Sequence, residues 1–384
     1  MKRISIFDTT LRDGEQAPNN AMSPAQKLAL ALKIESLGVD AIEGGFPASS
    51  PDEFKATRAL AQGLTRARLV SFCRATRADV EVALEAGGVS ARHGLQILAT
   101  GSDLHLQHKR RISRAQGIAE VVDTVRFART CGVSMISVGI EDASRGDLHY
   151  LRQLVEASVE AGARNLVVAD TTGYATPHEY AELVAQVRRW APEPIQIATH
   201  CHDDFGLALA NAVAATEAGA DEVQVTLGGI GERAGNTPIE EFAALLHYKR
   251  TLLGCYTDIR LDRLYDAYEQ LRATIGLEEP RNKAIFGKYA FSTAAGIHQQ
   301  GVLRNPSTYE YVEPQAFGRD RALVVARHSG RSVLRYLLDE LGIDTDDTRL
   351  DELYHTYVTS RPEGDCEDLS VLKERLRNDL LVAA

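Results

Sequence analysis

Short apolar runs alternate with longer segments of helical periodicity along the first two thirds of the chain. This alternation is typical of repeated βα units around a parallel sheet that is buried on both faces. Eight runs have the character of strands: Ile4–Thr10, Ala41–Phe46, Arg68–Arg74, Leu95–Thr100, Met135–Glu141, Leu166–Thr172, Ile195–His202 and Glu222–Gly228. Eight such units fit a closed α/β fold, the (β/α)8 or TIM barrel, more economically than an open doubly wound sheet. We therefore predict this barrel for residues 1–256.

The segments between the runs carry recognisable helix boundaries. Ser-Pro pairs at 23–24 and 50–51 place an N-cap before a proline at the first helical position. Glycines lie where three helices should stop: Gly38, Gly87 and Gly132. A dinucleotide-binding doubly wound fold would need a glycine-rich turn after its first strand, whereas residues 9–16 read TTLRDGEQ, with one glycine.

The strand pattern stops at about Tyr256. Helical periodicity follows over Leu261–Ile275 and Ser332–Leu341, with a loop-rich stretch at Arg281–Pro314. We therefore predict a smaller, mainly helical C-terminal region over residues 257–384.

Composition and charge exclude several classes of protein. Apolar residues make up 44% of the chain and charged residues 25%, which are ordinary values for a folded globular protein. The net charge of −10 offers no basic surface to a phosphate backbone, so we expect no nucleic-acid partner. One basic run, Lys109-Arg110-Arg111, fits either an anionic substrate or the solvated start of a helix.

Signals for a membrane or for export are also missing from the sequence. No segment approaches the roughly 18 consecutive apolar residues of a membrane span. The start MKRISIFDTT lacks the apolar run of a secretory signal. Five scattered cysteines without a CxxC pair argue against a disulfide framework or a structural zinc site. We expect a cytoplasmic protein without a membrane partner.

Polar residues collect where the predicted strands end, which is the face on which barrel enzymes carry their reactive groups. These residues are Arg12 to Gln16, Glu43, Arg74, Asp170 to Thr172, and His200 to Asp204. Charges at such positions are costly to desolvate unless they are paired or bound to a cation. The sequence therefore indicates a polar site at this end of the barrel.

His200 and His202 have the alternating spacing that places two imidazoles on one face of a strand. Asp13 would add an oxygen from the first strand, and this donor set suits Mg²⁺, Mn²⁺, Co²⁺ or Zn²⁺. The alternative is a hydrogen-bonded structural pair of histidines, but the polar residues at other strand ends favour the metal. Cys201 points the other way and is expected to pack in the core.

Two further residues have competing interpretations. Arg12 would stabilise negative charge on an enolate or oxo oxygen, or else form a surface salt bridge with Glu15 or a neighbouring helix. Asn236, in GERAGN, would reach the metal site from the eighth loop, or else be a turn residue ahead of the helix begun by Thr237-Pro238.

Five long segments, in order, resemble the 2-isopropylmalate, homocitrate and citramalate synthases. They are FDTTLRDGEQAP at Phe7–Pro18, EGGFPASS at Glu43–Ser50, THCHDDFGLALAN at Thr199–Asn211, GIGERAGN at Gly229–Asn236 and AGIHQQGVLRNPSTYE at Ala295–Glu310. Together they are far more specific than any single motif. The resemblance implies a metal-dependent barrel followed by a lid-like helical region. It also implies an acyltransferase that condenses acetyl-CoA, as co-substrate, with a 2-oxo acid.

The resemblance assigns roles to residues of the predicted barrel. It implies Asp13, His200 and His202 as metal ligands, with Asn236 close to the metal or among its ligands. Arg12 is similar to a catalytic arginine beside the 2-oxo group. The candidate substrate-binding residues are Gln16, Glu43, Arg74, His105 and Thr171.

Two further roles fall in the C-terminal region. His298 resembles the base that deprotonates the acetyl methyl group, and Tyr309 resembles a tyrosine that assists this step. In the family both residues come from the partner subunit. The resemblance therefore implies a homodimer in which residues 257–384 serve as lid and dimerisation region.

The 2-oxo acid is less clearly indicated. SDLH at Ser102–His105, ISVGIEDASRGD at Ile136–Asp147 and ARHSGR at Ala326–Arg331 resemble the bacterial homocitrate synthases more than the 2-isopropylmalate synthases, which favours 2-oxoglutarate. The alternative is a 2-isopropylmalate synthase. We expect no counterpart of the leucine-binding domain of long 2-isopropylmalate synthases, and therefore no leucine feedback through such a domain.

Four positions depart from the family pattern near its substrate or acyl-CoA side: Asp203, Gly228, Ala295 and Gln300. A branch that accepts phosphonopyruvate, the 2-phosphonomethylmalate synthases, would suit the basic neighbourhood of His105, His108 and Lys109. A metal-dependent aldolase or lyase would share the metal ligands but lack the GIHQQG and TYE segments. A non-catalytic barrel would be expected to have lost a ligand or Arg12.

Overall fold

The computed structural model describes residues 1–382, and within them eight parallel strands close into a barrel in chain order. The strands are β1 (Ser5–Asp8), β2 (Ala41–Gly45), β3 (Arg68–Arg74), β4 (His93–Thr100), β5 (Ile136–Glu141), β6 (Asn165–Asp170), β7 (Gln196–Cys201) and β8 (Glu222–Val225). The ring closes where β8 pairs with β1, with Glu222 opposite Ser5. The predicted (β/α)8 barrel is confirmed.

A helix follows each barrel strand. These helices are α1 (Pro24–Ser36), α2 (Pro51–Gly63), α3 (Arg77–Gly87), α4 (Arg114–Thr130), α5 (Leu148–Ala161), α6 (Pro177–Trp190), α7 (Ala208–Glu217) and α8 (Ile239–Tyr248). Ser23 and Ser50 accept hydrogen bonds from the N–H groups of Gln26 and Glu53, so both predicted Ser-Pro starts are confirmed.

Apolar side chains fill the layer between the strands and the helices. Ile97 of β4 and Val138 of β5 belong to this buried cluster, together with Val125 of α4. Cys73 and Cys201 lie in the same cluster, so the expected packing role of Cys201 is confirmed. The outward faces of the strands therefore hold the barrel together and leave the inward faces for a ligand.

The first strand is shorter than predicted and ends at Asp8 rather than Thr10. Beyond it, the N–H groups of Arg12, Asp13 and Gly14 all donate to the carbonyl of Thr9, so the chain turns instead of pairing with a neighbouring strand. Arg12 and Asp13 accordingly lie on a tight turn above the barrel and not on the strand itself.

The first compact unit spans Met1–Glu278, so it ends later than the boundary predicted at residue 256. It includes a parallel pair formed by Lys2–Arg3 and Cys255–Tyr256, and helices α9 (Arg250–Leu253) and α10 (Leu264–Ile275). Tyr268 of α10 packs on Gly228, where a Cβ atom would lie 2.5 Å from its ring. Because α10 covers the loop after β8, it belongs to the barrel unit although the strand pattern has already ended.

The second compact unit begins at Glu279. Its helices are α11 (Gly296–Arg304), α12 (Arg331–Glu340), α13 (Asp347–Tyr354) and α14 (Leu369–Arg377). In addition to the predicted helices it has a small sheet of β9 (Ser292–Thr293), β10 (Ala322–Ala326) and β11 (Cys366–Asp368). Val325 of β10 packs with Leu334 and Leu337 of α12 in a core of its own. Among the described residues, no helix is long and apolar enough to cross a membrane.

Candidate metal and substrate site

Asp13, His200 and His202 converge at the C-terminal end of the barrel. Oδ2 of Asp13 lies 3.4 Å from Nε2 of His200 and 3.8 Å from Nε2 of His202. The two Nε2 atoms are 3.2 Å apart, and one donor atom from each of the three residues lies within 4.8 Å of the others. All three side chains are buried. This arrangement brings one carboxylate oxygen and two imidazole nitrogens to a common point, as a divalent cation requires.

Asn236 completes the polar shell around this point. Its Nδ2 donates to Oδ1 of Asp13 at 2.7 Å, while its Oδ1 is buried without a hydrogen-bond partner. Its backbone forms a bridge with that of His202. Gly231 permits this close approach, because a Cβ atom there would lie 2.0 Å from Nδ2 of Asn236. A buried carbonyl oxygen with no partner is unfavourable unless it meets a ligand, so these residues fit a bound cation.

Arg12 lies between two acidic side chains. Its Nε donates to Oε2 of Glu43 at 2.6 Å, and its Nη1 donates to Oδ2 of Asp13 at 3.2 Å. The alternative pairing with Glu15 is wrong, because Glu15 pairs with the buried Lys27 at 2.5 Å. The guanidinium also lies over the ring of Phe72, 4.9 Å from its centroid. Arg12 is therefore a fixed positive charge beside the candidate metal ligands.

Burial and neighbouring charges shift the ionisation of the site. Burial by itself would raise the pKa of Asp13, but the charge of Arg12 holds that pKa well below its usual range. Burial raises the pKa of Glu43, and Arg12 opposes this shift. Burial, followed by repulsion from His200, lowers the pKa of His202 to about 4. Asp13 is therefore a carboxylate and His202 a neutral imidazole at neutral pH, which are the forms that bind metals.

Two functional candidates were missed by the sequence interpretation. Gln96 of β4 and Gln224 of β8 are buried inside the barrel and bonded to one another, with Nε2 of Gln224 donating to Oε1 of Gln96 at 2.8 Å. The signal was a glutamine between apolar residues of a strand, since a buried amide needs partners. Single strands could not show that these two amides meet across the barrel.

A cavity of about 700 Å³ opens beside the candidate metal ligands, and alternate residues of the strands line it. Along β4 the lining residues are Gln96, Leu98 and Thr100, and along β6 they are Val167 and Ala169. Inward-facing side chains at the C-terminal end of a barrel are the usual walls of an active site.

Three of the predicted substrate-binding residues line this cavity along with Arg12 and Asp13: Gln16, Arg74 and Thr171. Arg74 is at the rim, with 61% of its side chain exposed, and donates from Nε and Nη2 to Asp79 at 2.9 Å. The hydroxyl of Thr171 accepts from the N–H of Asp142 at 2.8 Å. Glu43 lies behind Arg12 and contacts the site through it.

His105 faces two acidic side chains. Its Nδ1 lies 3.3 Å from Oε2 of Glu141, and its Nε2 lies 3.6 Å from Oδ2 of Asp142. The neighbouring cavity wall is formed by Glu141, Lys109 and Arg110. Two of the three basic residues of the run, Lys109 and Arg110, therefore face the cavity. Substrate binding by His105 stays a prediction.

His298 and Tyr309 lie together in the second unit. Their ring centroids are 4.3 Å apart, and 49% of Tyr309 is exposed. The structure thus brings the predicted base and its predicted assistant into contact with each other.

Two of the departures from the family pattern have structural roles. Oδ1 of Asp203 accepts a hydrogen bond from the N–H of Ala208 at the start of α7, at 2.9 Å. Gly228 has a positive φ of 71° and lies under Tyr268. Both positions stabilise the loops that carry the site.

Comparison with known proteins shows the family of this chain. Residues 3–271 match the HMGL-like family, and residues 285–361 match the homocitrate synthase post-HMGL domain-like family. The chain is 41% identical over 356 residues to the 2-isopropylmalate synthase of Syntrophus aciditrophicus, which covers 92% of this chain and 69% of that protein. The chain belongs to the 2-isopropylmalate synthase and homocitrate synthase family.

Other relatives extend the comparison. A Methanopyrus kandleri protein, whose name proposes an (R)-citramalate synthase, is 40% identical over 350 residues, which is 91% of this chain and 67% of that protein. The hydroxymethylglutaryl-CoA lyase structure from Pseudomonas aeruginosa aligns with a TM-score of 0.62 at 22% identity, over 75% of this chain and 96% of that one. At this identity the likeness shows the barrel fold alone. As a member of the synthase family, the protein is an acyltransferase.

Proposed function

We propose that the protein condenses acetyl-CoA with a small 2-oxo acid whose side chain is apolar, and that 2-oxoisovalerate is the first candidate. The products would be a 2-hydroxy diacid and free CoA, as expected of a 2-isopropylmalate synthase. The observation that carries this proposal is the convergence of Asp13, His200, His202 and Arg12 beside an apolar cavity wall. The names of the relatives, 2-isopropylmalate and citramalate synthases, support the same proposed function.

The side-chain pocket is built from apolar groups. Half-buried Phe72 and Leu98 line it, together with Val167 and Ala169. Gly139 of β5 also lines the cavity and leaves space, because a Cβ atom there would lie 3.6 Å from its nearest neighbour, Cγ of Gln96. A wall of this kind favours a short aliphatic side chain through apolar burial.

The cations that line the cavity are already paired. Lys109 donates to Glu141 at 2.6 Å, and Arg233 donates to both oxygens of Asp204 at 2.8 and 2.9 Å. Arg110 pairs with Glu120, at 2.7 Å. The distal carboxylate of 2-oxoglutarate, or a phosphonate, would have to compete with these acids for the cations, at a cost in binding free energy. This cost weighs against the homocitrate synthase and 2-phosphonomethylmalate synthase interpretations of the sequence.

Asp13, His200 and His202 would hold the divalent cation, with the carbonyl of Asn236 beside them. When bound, Mg²⁺, Mn²⁺, Co²⁺ or Zn²⁺ would act as a Lewis acid on the 2-oxo group. Arg12 is fixed by Glu43 and Asp13, and its charge would stabilise the negative charge that develops on the 2-oxo oxygen.

Formation of the new C–C bond requires a base that removes a proton from the acetyl methyl group. His298 would take this proton, and the contact with Tyr309 would orient the imidazole. The resulting enolate carbon attacks the 2-oxo carbon, the oxo oxygen takes up a proton, and water then hydrolyses the thioester to release CoA. As in the family, His298 and Tyr309 would come from the partner subunit of a homodimer.

The test is the release of CoA thiol from acetyl-CoA with Mn²⁺ or Mg²⁺. The panel of acids comprises 2-oxoisovalerate, pyruvate, 2-oxoglutarate, oxaloacetate and phosphonopyruvate. We expect 2-oxoisovalerate or pyruvate to give the highest kcat/KM. Preference for 2-oxoglutarate or phosphonopyruvate would overturn the apolar-pocket proposal, and no thiol release with any acid, despite bound metal, would overturn the condensation.

A further inference from the structure

A chain of hydrogen bonds crosses the barrel interior and connects Glu43 on β2 to His200 on β7. Nε2 of Gln96 donates to Oε1 of Glu43 at 2.8 Å, and Nε2 of Gln224 donates to Oε1 of Gln96 at 2.8 Å. Oε1 of Gln224 lies 2.9 Å from Nδ1 of His200. The four side chains are buried, which strengthens these bonds relative to the same bonds in water.

The donor and the acceptor in each of these hydrogen bonds follow from the charge of Glu43, the first residue of the series. Glu43 is ion-paired with Arg12 at 2.6 Å and, as a carboxylate, can only accept hydrogen bonds. Gln96 must therefore present its NH₂ group to Glu43 and its carbonyl to Gln224. Gln224 must then present its own carbonyl to the imidazole. Nδ1 of His200 is left as the donor.

We propose that Gln96 and Gln224 are positioning residues that hold His200 as the Nδ1–H tautomer, with a free lone pair on Nε2. This inference rests on the proposed function only in taking His200 as a metal ligand. Metal binding needs an unprotonated ring nitrogen, and the hydrogen bond made by the other nitrogen selects which one is free.

Without the two glutamines, the opposite tautomer has a ready partner. Oδ2 of Asp13 lies 3.4 Å from Nε2 of His200 and would accept a proton carried there. A proton on Nε2 would remove the lone pair on the side that faces Asp13 and His202. The hydrogen-bond relay formed by Gln96 and Gln224 therefore determines which ring nitrogen of His200 carries the proton. The proton lies on Nδ1 when the hydrogen bonds lead to Glu43, and on Nε2 when the imidazole donates to Asp13.

The test reads the tautomer directly, in metal-free full-length protein without substrates. The protein is labelled with ¹⁵N-histidine, His200 is assigned by difference from His200→Asn, and spectra are taken at about pH 8, above the ordinary imidazole pKa. We expect the Nδ1–H form in the native protein and in Gln224→Glu, which keeps the acceptor. Gln224→Leu should shift His200 to the Nε2–H form.

Gln96→Leu is the more discriminating variant, because it leaves the contact between Gln224 and His200 intact. Gln224 is then free to rotate its amide, so both tautomers of His200 should be populated. Asn165→Leu is the matched control: it removes a buried amide that donates to Glu222 at 2.7 Å, at the N-terminal end of the strands. It should leave His200 unchanged.

Titration with Mn²⁺ alone supplies a second readout. Gln224→Leu should weaken Mn²⁺ binding by about 10- to 100-fold, as for other partners of metal-binding histidines. Gln96→Leu should weaken it by about twofold, if half of the molecules carry the competent tautomer. The same tautomer in all variants, or Nε2–H in the native protein, would overturn the relay. Native protein with the Nδ1–H form but no affinity for Mn²⁺ would refute the metal site and leave the relay intact.

Discussion

The side chain of Asn236 donates a hydrogen bond of 2.7 Å to Oδ1 of Asp13, across 223 positions of the sequence. This bond leaves Oδ2 of Asp13 directed at His200 and His202. It also ties the turn after β1 to the loop after β8, which are neighbours only because the barrel closes. Asn236 therefore orients a candidate metal ligand and presents its own unpartnered carbonyl to the same point.

Replacing Asn236 by alanine should weaken metal binding. Asp13 would lose the bond that orients it, and removal of such a partner typically costs about 10- to 100-fold in metal affinity. Isothermal titration with Mn²⁺ measures the change. Asn165→Ala is the matched control, because Asn165 donates to Glu222 at the same distance of 2.7 Å far from the site. Equal affinities for Asn236→Ala and native protein would contradict the orienting role.

Gly139→Val should narrow the substrate pocket. The space above Gly139 accepts a Cβ atom 3.6 Å from Gln96, but two further methyl groups would fill the region proposed for the substrate side chain. We expect kcat/KM for 2-oxoisovalerate to fall by about 10- to 200-fold relative to pyruvate, the range for one misfitting group in an apolar pocket. Gly139→Ala should give a smaller change in the same direction. If the ratio of the kcat/KM values for the two acids were unchanged, the side chain of the substrate would have to bind elsewhere.

Mixing two inactive variants tests whether the base comes from the partner subunit. His298→Ala should abolish CoA release and leave Mn²⁺ affinity unchanged, whereas Asp13→Ala should abolish both. Co-expressed together, they should recover activity at about a quarter of the sites, because half of the dimers are mixed and each mixed dimer restores one site.

The control for this experiment pairs Asp13→Ala with His200→Ala, which lie in the same barrel and should never complement. If mixtures of Asp13→Ala and His298→Ala also stayed inactive, His298 would act within its own chain. Full turnover by His298→Ala would remove it from the role of base.

Glu222 should make the fold less stable as the pH rises. Burial raises the pKa of this carboxyl from 4.5 to about 7, although Asn165 donates a hydrogen bond to it. The folded protein therefore retains a proton that the unfolded chain loses, so stability is full below about pH 4.5 and falls until about pH 7.

The variant Glu222→Gln should flatten this dependence, because glutamine keeps the acceptor without ionising. At about 1.4 kcal/mol per pKa unit, the difference between native protein and variant should reach at most about 3.5 kcal/mol. Urea unfolding at pH 5 and pH 7.5 measures it. Parallel pH profiles for the two proteins would show that Glu222 ionises normally in the fold.

Much of the fold could be predicted from local patterns. Strand periodicity, Ser-Pro starts and glycine stops are properties of neighbouring residues, so the barrel and most helix starts follow from the sequence. The end of β1 could not be predicted in this way. In the folded chain the N–H groups of Arg12, Asp13 and Gly14 donate to the carbonyl of Thr9, and this turn replaces strand pairing. The same holds for α10, which joins the barrel through the packing of Tyr268 on Gly228.

Part of the candidate site could likewise be predicted from the sequence, and part of it depends on the tertiary structure. Motifs and the alternation of His200 and His202 sufficed to name the candidate ligands, because each carries its chemistry in its own side chain. The tertiary structure alone decided that Gln96 and Gln224 meet across 128 positions, and that Lys109 is paired with Glu141. Burial and closure of the barrel determine which buried amides form hydrogen bonds with each other. They also determine which charged side chains remain unpaired for a substrate. Neither outcome is encoded in a local pattern of residues.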